Sequence, residues 1–316
     1  MTVWLLTGLG LAILLFAGDA LVKGAVNLAL RLGVPALIVG LTIVAFGTSA
    51  PELLISVEAV LADAPGIALG NVVGSNTANV LLVLGVPALL TGLATRECDT
   101  RKSYVVMLAA SVLFIALAFT GAFTWWSGLI LLGALALVLG ENFLEARAHH
   151  ADHAAAEEVE ELEGADPEMP WWKIVLFLAI GLVGLPLGAN LLIDNASEIA
   201  RMYGVSETVI GLTLIALGTS LPELATTVMA GFRKQADVAL GNVIGSNMFN
   251  LLAIIGITSL IGDVPVTREF LTLDLWVMLG ASLALVPFVL LRRNLTRLWG
   301  VVLTAAYVAY VLVLLN

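Results

Sequence analysis

Cysteine, histidine and charge are all scarce in this chain of 316 residues. A single cysteine, Cys98, excludes an internal disulfide and leaves no partner for a thiolate metal site. The only histidines, His149, His150 and His153, lie in one short tract, so no apolar stretch carries an imidazole base or ligand. Charged residues make up 12% of the chain, about half the share of a soluble domain, while 60% of residues are hydrophobic. That balance excludes a water-soluble globule. Ample apolar surface excludes disorder, and the lack of clustered basic residues argues against nucleic-acid binding. What remains is an integral membrane protein.

The net charge of −10 is local rather than general. Between Glu145 and Pro170 stand nine acids against Arg147 alone, which accounts for −8 of it. This tract, 145–171, reads as an acidic linker, too short for a folded domain. Its histidines and acids could hold a metal, but composition favours a solvated connector. On either side lie apolar runs of about 20 residues, the length that crosses a bilayer. Ten are expected, at roughly 3–30, 35–61, 66–92, 103–120, 125–144, 172–200, 205–230, 237–261, 271–291 and 297–315. The opening residues lack a basic signal-peptide region and are read as the start of the first span. With the N-terminus outside, twelve Lys and Arg fall on the inner side and only Arg201 and Arg268 on the outer. Both termini are therefore expected outside and the linker in the cytosol.

An internal duplication organises these spans. Residues 40–60 align without gaps on 211–231 with 12 of 21 positions identical, and 68–85 align on 239–256 with 11 of 18. The shared elements are Gly-Thr-Ser-x-Pro-Glu and Gly-Asn-Val-x-Gly-Ser-Asn, which chance similarity between Leu- and Val-rich helices would not produce. The motifs span 40–85 in the first half, 1–144, and 211–256 in the second, 172–316. Five spans per copy is an odd number, so the second copy is expected to cross in the opposite sense. The expected fold class is thus an all-α polytopic membrane protein of ten transmembrane helices, arranged as two inverted-topology five-helix repeats. Secondary transporters have this architecture, with sites near the midplane at the repeat interface.

Glu52 and Glu223 fall mid-span at equivalent positions. An ionised carboxylate there costs about 2.5–3.5 kcal/mol even on lenient scales, and persists only beside a cavity, a cation or a partner. No Lys or Arg lies mid-span in the second, third, seventh or eighth helix to serve as that partner. Pro51 and Pro222 each remove a helix N–H, which frees the carbonyls of Gly47 and Gly218 and loosens the turns through Thr48 and Thr219. With the hydroxyls of Thr48, Ser49, Thr219 and Ser220, each motif offers hard oxygen ligands of the kind Ca²⁺ takes six to eight at a time. Asn71, Ser75 and Asn79 share one helix face at i, i+4 and i+8, and Asn242, Ser246 and Asn250 repeat it. Ser75, Asn79, Ser246 and Asn250 are candidate ligands. Asn71, Asn76, Asn242 and Asn247 read equally well as hydrogen-bonding glue between helices. Asp19 and Lys23, at i and i+4 near a span end, read as a structural pair.

The two GTS-x-PE motifs, paired with GNVVGSNTAN and GNVIGSNMFN, resemble the alpha-repeats of the cation/calcium exchanger superfamily, in its sodium/calcium exchanger branch of prokaryotic type. The resemblance implies a secondary-active antiporter that expels Ca²⁺ against Na⁺ influx by alternating access, with Na⁺, Ca²⁺ and the lipid bilayer as its partners. It implies that Glu52 and Glu223 bind Ca²⁺ directly and that the carbonyls of Thr48 and Thr219 complete that site. Sodium sites would use Ala45, Thr48, Ser49 and Ser75 at one end and Ala216, Thr219, Ser220 and Ser246 at the other. Asn79 and Asn250 would lie between the glutamates. Several relatives carry Asp at the position of Asn250, and the neutral residue here predicts independence of K⁺. Two carboxylates balance one Ca²⁺, and a three-for-one stoichiometry would make exchange electrogenic.

The alternative within the superfamily is a Ca²⁺/H⁺ antiporter that uses the same two glutamates as proton carriers. A passive channel fits less well, because two buried acids would hold Ca²⁺ too tightly for fast conduction. An enzyme is not expected, since the spans hold no histidine, and neither a cofactor nor a protein partner is implied. Compact size and a short linker suggest a prokaryotic inner membrane.

Overall fold

The computed structural model describes residues 2–152, 166, 168–204 and 216–314. The first half comprises α1 (Thr2–Leu32), α2 (Ala36–Thr48), α3 (Ala50–Leu61), α4 (Pro65–Thr91), α5 (Arg101–Ala118) and α6 (Trp125–Asp152). The second half comprises α7 (Trp171–Met202), a helical turn at Ala216–Gly218, α8 (Leu221–Phe232), α9 (Ala236–Ile261), α10 (Phe270–Val289) and α11 (Arg297–Leu314). Among the described residues eight of these helices are long and apolar enough to cross a bilayer, and the pair α2–α3, bent by 43°, makes a ninth when counted as one broken span. The expected seventh span, 205–230, lies partly outside the described residues, so nine of the ten expected spans are found among those described.

The sequence punctuates these helices as its breakers dictate. Gly33 takes φ 61° after α1, and Pro35 starts the next helix. Pro65 sits in the first turn of α4, where a missing N–H costs no helical bond. The ends of α3 and α8 are near-copies. Asp63 and Lys234 adopt left-handed backbone at φ 57° and 56°. The following N–H groups, of Ala64 and Gln235, reach back to the carbonyls of Ala59 and Ala230 at 2.9 and 2.8 Å. This is a C-terminal cap that usually employs glycine.

Polarity is distributed as lipid requires. Phe16, Leu137 and Leu298 are 80%, 77% and 71% exposed on the outside of the bundle. Glu52, Glu223, Asn79, Asn242 and Asn250 are buried inside it. All seven tryptophans, among them Trp4, Trp125, Trp171 and Trp299, are exposed and lie towards helix ends, where an indole suits the headgroup layer.

Two backbone clasps tie the halves together. Strand β1 (Ala122–Phe123) pairs antiparallel with β2 (Val264–Pro265). At the other end Leu93 pairs with Leu295, supported by Thr95 Oγ1 donating to the Arg293 carbonyl at 2.8 Å. The acidic linker returns to the bundle beside α1, where the Arg31 guanidinium donates to the Met169 carbonyl at 3.0 and 3.1 Å and Asn27 Oδ1 accepts from Asp166 N–H at 2.8 Å. The expected Asp19–Lys23 pair forms at 3.3 Å, and Asp19 also receives Arg233 at 2.5 Å, a partner that the sequence did not disclose. That second bond joins α1 to the end of α8. His149 and His150 fall within α6, while His153 lies outside the described residues.

Helices α1 and α7 run antiparallel in close contact because glycines face backbone along the seam: Gly10 meets Leu192, Gly188 meets Leu14, and Gly181 meets Leu21. A Cβ on Gly181 would stand 2.8 Å from the Leu21 Cα, closer than real contacts allow. Substitution Gly181→Val is therefore expected to destabilise the protein by about 1–3 kcal/mol through overpacking. Gly140→Val, with nothing within 4 Å of the added atom, should leave the thermal melt in detergent unchanged.

Candidate functional site

The two GTS-x-PE motifs fold as helix breaks at the same residue. Ser49 and Ser220 leave helical geometry with φ/ψ of −88°/6° and −87°/5°. Pro51 and Pro222 then open new helices, α3 and α8, in which Glu52 and Glu223 occupy the first turn. Ser-x-Pro-Glu has the spacing of a capping box, in which the serine and the glutamate would each bond a backbone N–H at the helix start. Neither serine caps its own helix. Ser49 Oγ instead donates to Glu223 Oε1 of the other motif at 2.9 Å. Side chains that could have served the backbone are thus turned towards one another across the middle of the molecule. The helix N-termini beneath the carboxylates add partial positive charge, which favours an anionic side chain there.

Helices α4 and α9 brace these breaks. Asn71 Nδ2 donates to the Glu52 carbonyl at 3.1 Å and to Ser56 Oγ at 3.0 Å. Asn242 Nδ2 donates to the Glu223 carbonyl at 3.4 Å and to Thr227 Oγ1 at 3.1 Å, and its Oδ1 lies 3.2 Å from the Thr48 hydroxyl. Asn71 and Asn242 therefore act as interhelical glue. Asn79 Nδ2 donates to Asn247 Oδ1 at 3.0 Å, and Asn247 Nδ2 donates to the Asn76 carbonyl at 3.4 Å, so the two walls also bond to each other. A wide π turn begins at Asn79 (Asn79–Val83) and another at Asn250 (Asn250–Ile254), a deformation frequent at functional sites.

The remaining side-chain oxygens are the chemically informative ones. Among the described residues both oxygens of Glu52, Oε2 of Glu223, Oδ1 of Asn79 and Asn250, and the hydroxyls of Thr219, Ser220 and Ser246 are buried without a hydrogen-bond partner. Such groups cost about 1–3 kcal/mol each, more when charged, unless something else satisfies them. Eight oxygens, three of them on carboxylates, form a donor set suited to hard cations. Glu52 and Glu223 also repel each other electrostatically, so a cation relieves both desolvation and repulsion. Among the described residues no cluster of three or more His, Cys, Asp and Glu exists, so the set is rich in neutral oxygens around two charges.

The sequence-derived candidates are distributed as follows. Thr48 and Ser49 are buried at the first break, with Ala45 buried one turn earlier. Thr219 and Ser220 stand at the second break, after the turn opened by Ala216. Ser75 and Asn79 on α4, and Ser246 and Asn250 on α9, are buried. Ser56, Thr227 and the cross-wall Asn79–Asn247 bond were not foreseen. Ser56 and Thr227 stand at equal distances after Glu52 and Glu223, which could have flagged them. A cavity of about 350 Å³ lies between α7 and the two breaks, reaching from Asp194 and Arg201 to Thr219, Pro51 and Pro222.

The family described as sodium/calcium exchanger protein matches residues 2–142 and 173–316. The sodium/calcium exchanger MaX1 of Methanosarcina acetivorans is 34% identical over 97% of this chain and 96% of its own length. The inner membrane protein YrbG of Escherichia coli is 35% identical over 96% and 94%. A solved structure of the sodium-calcium exchanger NCX_Mj superposes with a TM-score of 0.80, at 31% identity, covering 98% of this chain and 97% of that one.

Bracing and unsatisfied groups should separate on mutation. Asn242→Leu removes bonds that hold Glu223 and is expected to cost about 1–2 kcal/mol, read as a lower melting temperature in ion-free detergent. Asn250→Leu removes a side chain with no protein partner and should preserve or raise that temperature, while shrinking the rise produced by added Ca²⁺.

Proposed function

Because the chain belongs to the sodium/calcium exchanger protein family, we propose that it is a secondary-active antiporter exchanging Na⁺ for Ca²⁺ by alternating access, with Glu52 and Glu223 at the shared site. The observation that carries this reading is the set of buried, unsatisfied oxygens around two carboxylates in equivalent positions. Glu52 and Glu223 would hold Ca²⁺ with the carbonyls of Thr48 and Thr219. Na⁺ would use Ala45, Thr48, Ser49 and Ser75 towards one end and Ala216, Thr219, Ser220 and Ser246 towards the other. Asn79 and Asn250 would complete the centre.

Charge decides the energetics. One Ca²⁺ neutralises two carboxylates, whereas three Na⁺ leave a surplus positive charge, so three-for-one exchange is electrogenic and worth about 2.3 kcal/mol per 100 mV. A neutral Asn250 leaves no third carboxylate to demand K⁺. The ions meet the site in turn as α1 and α7 slide over the rest. Their glycine-lined seam supports movement as one unit, and their antiparallel course supports two inverted repeats of five spans. The cavity beside α7 would be the route from the outer side, with both termini outside and the linker in the cytosol of a prokaryote. Hydroxyl and amide oxygens outnumber carboxylates in the site, which favours Na⁺ over the alternative of a Ca²⁺/H⁺ antiporter.

The test is ⁴⁵Ca²⁺ uptake into proteoliposomes loaded with Na⁺, with K⁺, or holding a pH gradient. Uptake is expected only with the outward Na⁺ gradient and abolished in Glu52→Gln and Glu223→Gln; because three Na⁺ leaving for one Ca²⁺ entering carries one net positive charge out, an interior-positive potential should stimulate it and an interior-negative one slow it. Uptake driven by the pH gradient and indifferent to Na⁺ would overturn Na⁺ coupling in favour of protons.

A further inference from the structure

One cavity is remote from the two carboxylates. It measures about 940 Å³ and lies at the end where the linker returns, between the close of α4, the turn after α8 and the start of α11. Lys234 and Arg297 line it together with Thr91, Asn294 and Thr296, and among the described residues no Asp or Glu does. Among the described residues neither Lys234 nor Arg297 forms an ion pair, although Asp19, Glu141 and Glu198 all find cationic partners. The two cations are also held on fixed backbone. Lys234 sits in the left-handed cap of α8, its N–H bonded to the Gly231 carbonyl at 3.1 Å. The segment leading to Arg297 is pinned by the Leu93–Leu295 pairing.

What lies below this basic mouth is apolar. Leu90, Phe232 and Leu298 form its lips and are 46%, 53% and 71% exposed. A second cavity, of about 500 Å³, lies further along α11, lined by Val301, Ala305, Val308 and by Leu89, the neighbour of Leu90. Val301, Ala305 and Val308 follow Leu298 at helical spacing, so mouth and groove share one face of α11. From Arg297 to Val308 that face runs about 16 Å at 1.5 Å per residue, enough to accompany much of an acyl chain. A soluble anion would have use for the mouth and none for the groove.

We propose that this composite site binds one anionic phospholipid of the leaflet at the linker end, its phosphate between Lys234 and Arg297 and an acyl chain along α11. Basic pockets between membrane helices suit such headgroups, and the apolar walls supply the remaining contact. The proposal is independent of which cation drives transport.

Native mass spectrometry of the delipidated full chain in detergent tests it, with phosphatidylglycerol titrated against phosphatidylcholine of identical acyl chains. A clear preference for the anionic lipid is expected, and Lys234→Ala/Arg297→Ala should reduce it roughly thirtyfold. Arg268→Ala, which removes a positive charge elsewhere, should leave it unchanged. Ala305→Trp, which fills the groove, should weaken the anionic lipid as well. Equal binding of both lipids, an unaffected double variant, or an equal loss in Arg268→Ala would overturn the proposal. So would displacement of the lipid by equimolar inorganic phosphate, which would assign the mouth to a free anion.

Discussion

Placing carboxylate oxygens away from water without a basic partner is the constraint from which the rest of this structure follows. Glu52 and Glu223 have no Lys or Arg beside them, and the hydrocarbon layer offers no solvation. Their surroundings must therefore hold them in place with neutral groups alone. Rigidity comes from Asn71 and Asn242, whose amides fasten the backbone of each glutamate to the facing helix. Around them lie hydroxyls and amide oxygens that, among the described residues, no protein donor occupies. The proline breaks serve both ends, since they start a helix beneath each carboxylate while loosening the turn before it.

The two copies of the motif break helix with matching backbone angles at Ser49 and Ser220 but do not make the same hydrogen bonds. Ser49 is spent on Glu223, whereas Ser220 has no partner among the described residues. Asn79 donates to Asn247, whereas both polar atoms of Asn250 are unpartnered. The unsatisfied neutral oxygens therefore belong mostly to the second half. Repeated sequence has in this way produced a centre whose hydrogen bonding differs between its two halves.

Much of this was legible in the sequence because the duplication reads like an alignment of the chain with itself. Glu52 paired with Glu223, the Pro breaks and the Asn faces all come from repeated letters, and their burial follows from placing letters of that polarity within apolar spans. The π turns were not legible, since Asn79–Val83 and Asn250–Ile254 have the composition of ordinary α-helix. Nor was the Arg233–Asp19 bond, which joins residues 214 positions apart and depends on how α1 crosses α8. Nor was the partner of Ser49: its Ser-x-Pro-Glu spacing has the form of a local cap, and only the folded chain turns it to Glu223.

The clasps at Phe123–Val264 and Leu93–Leu295 carry a further implication. Both are made by main-chain amides and carbonyls, which every residue except proline supplies in full. Contacts of that kind survive when the side chains of two duplicated halves drift apart, as most of theirs have done outside the motifs. The halves thus meet through backbone at these two clasps, in addition to the side chains that join them at the centre.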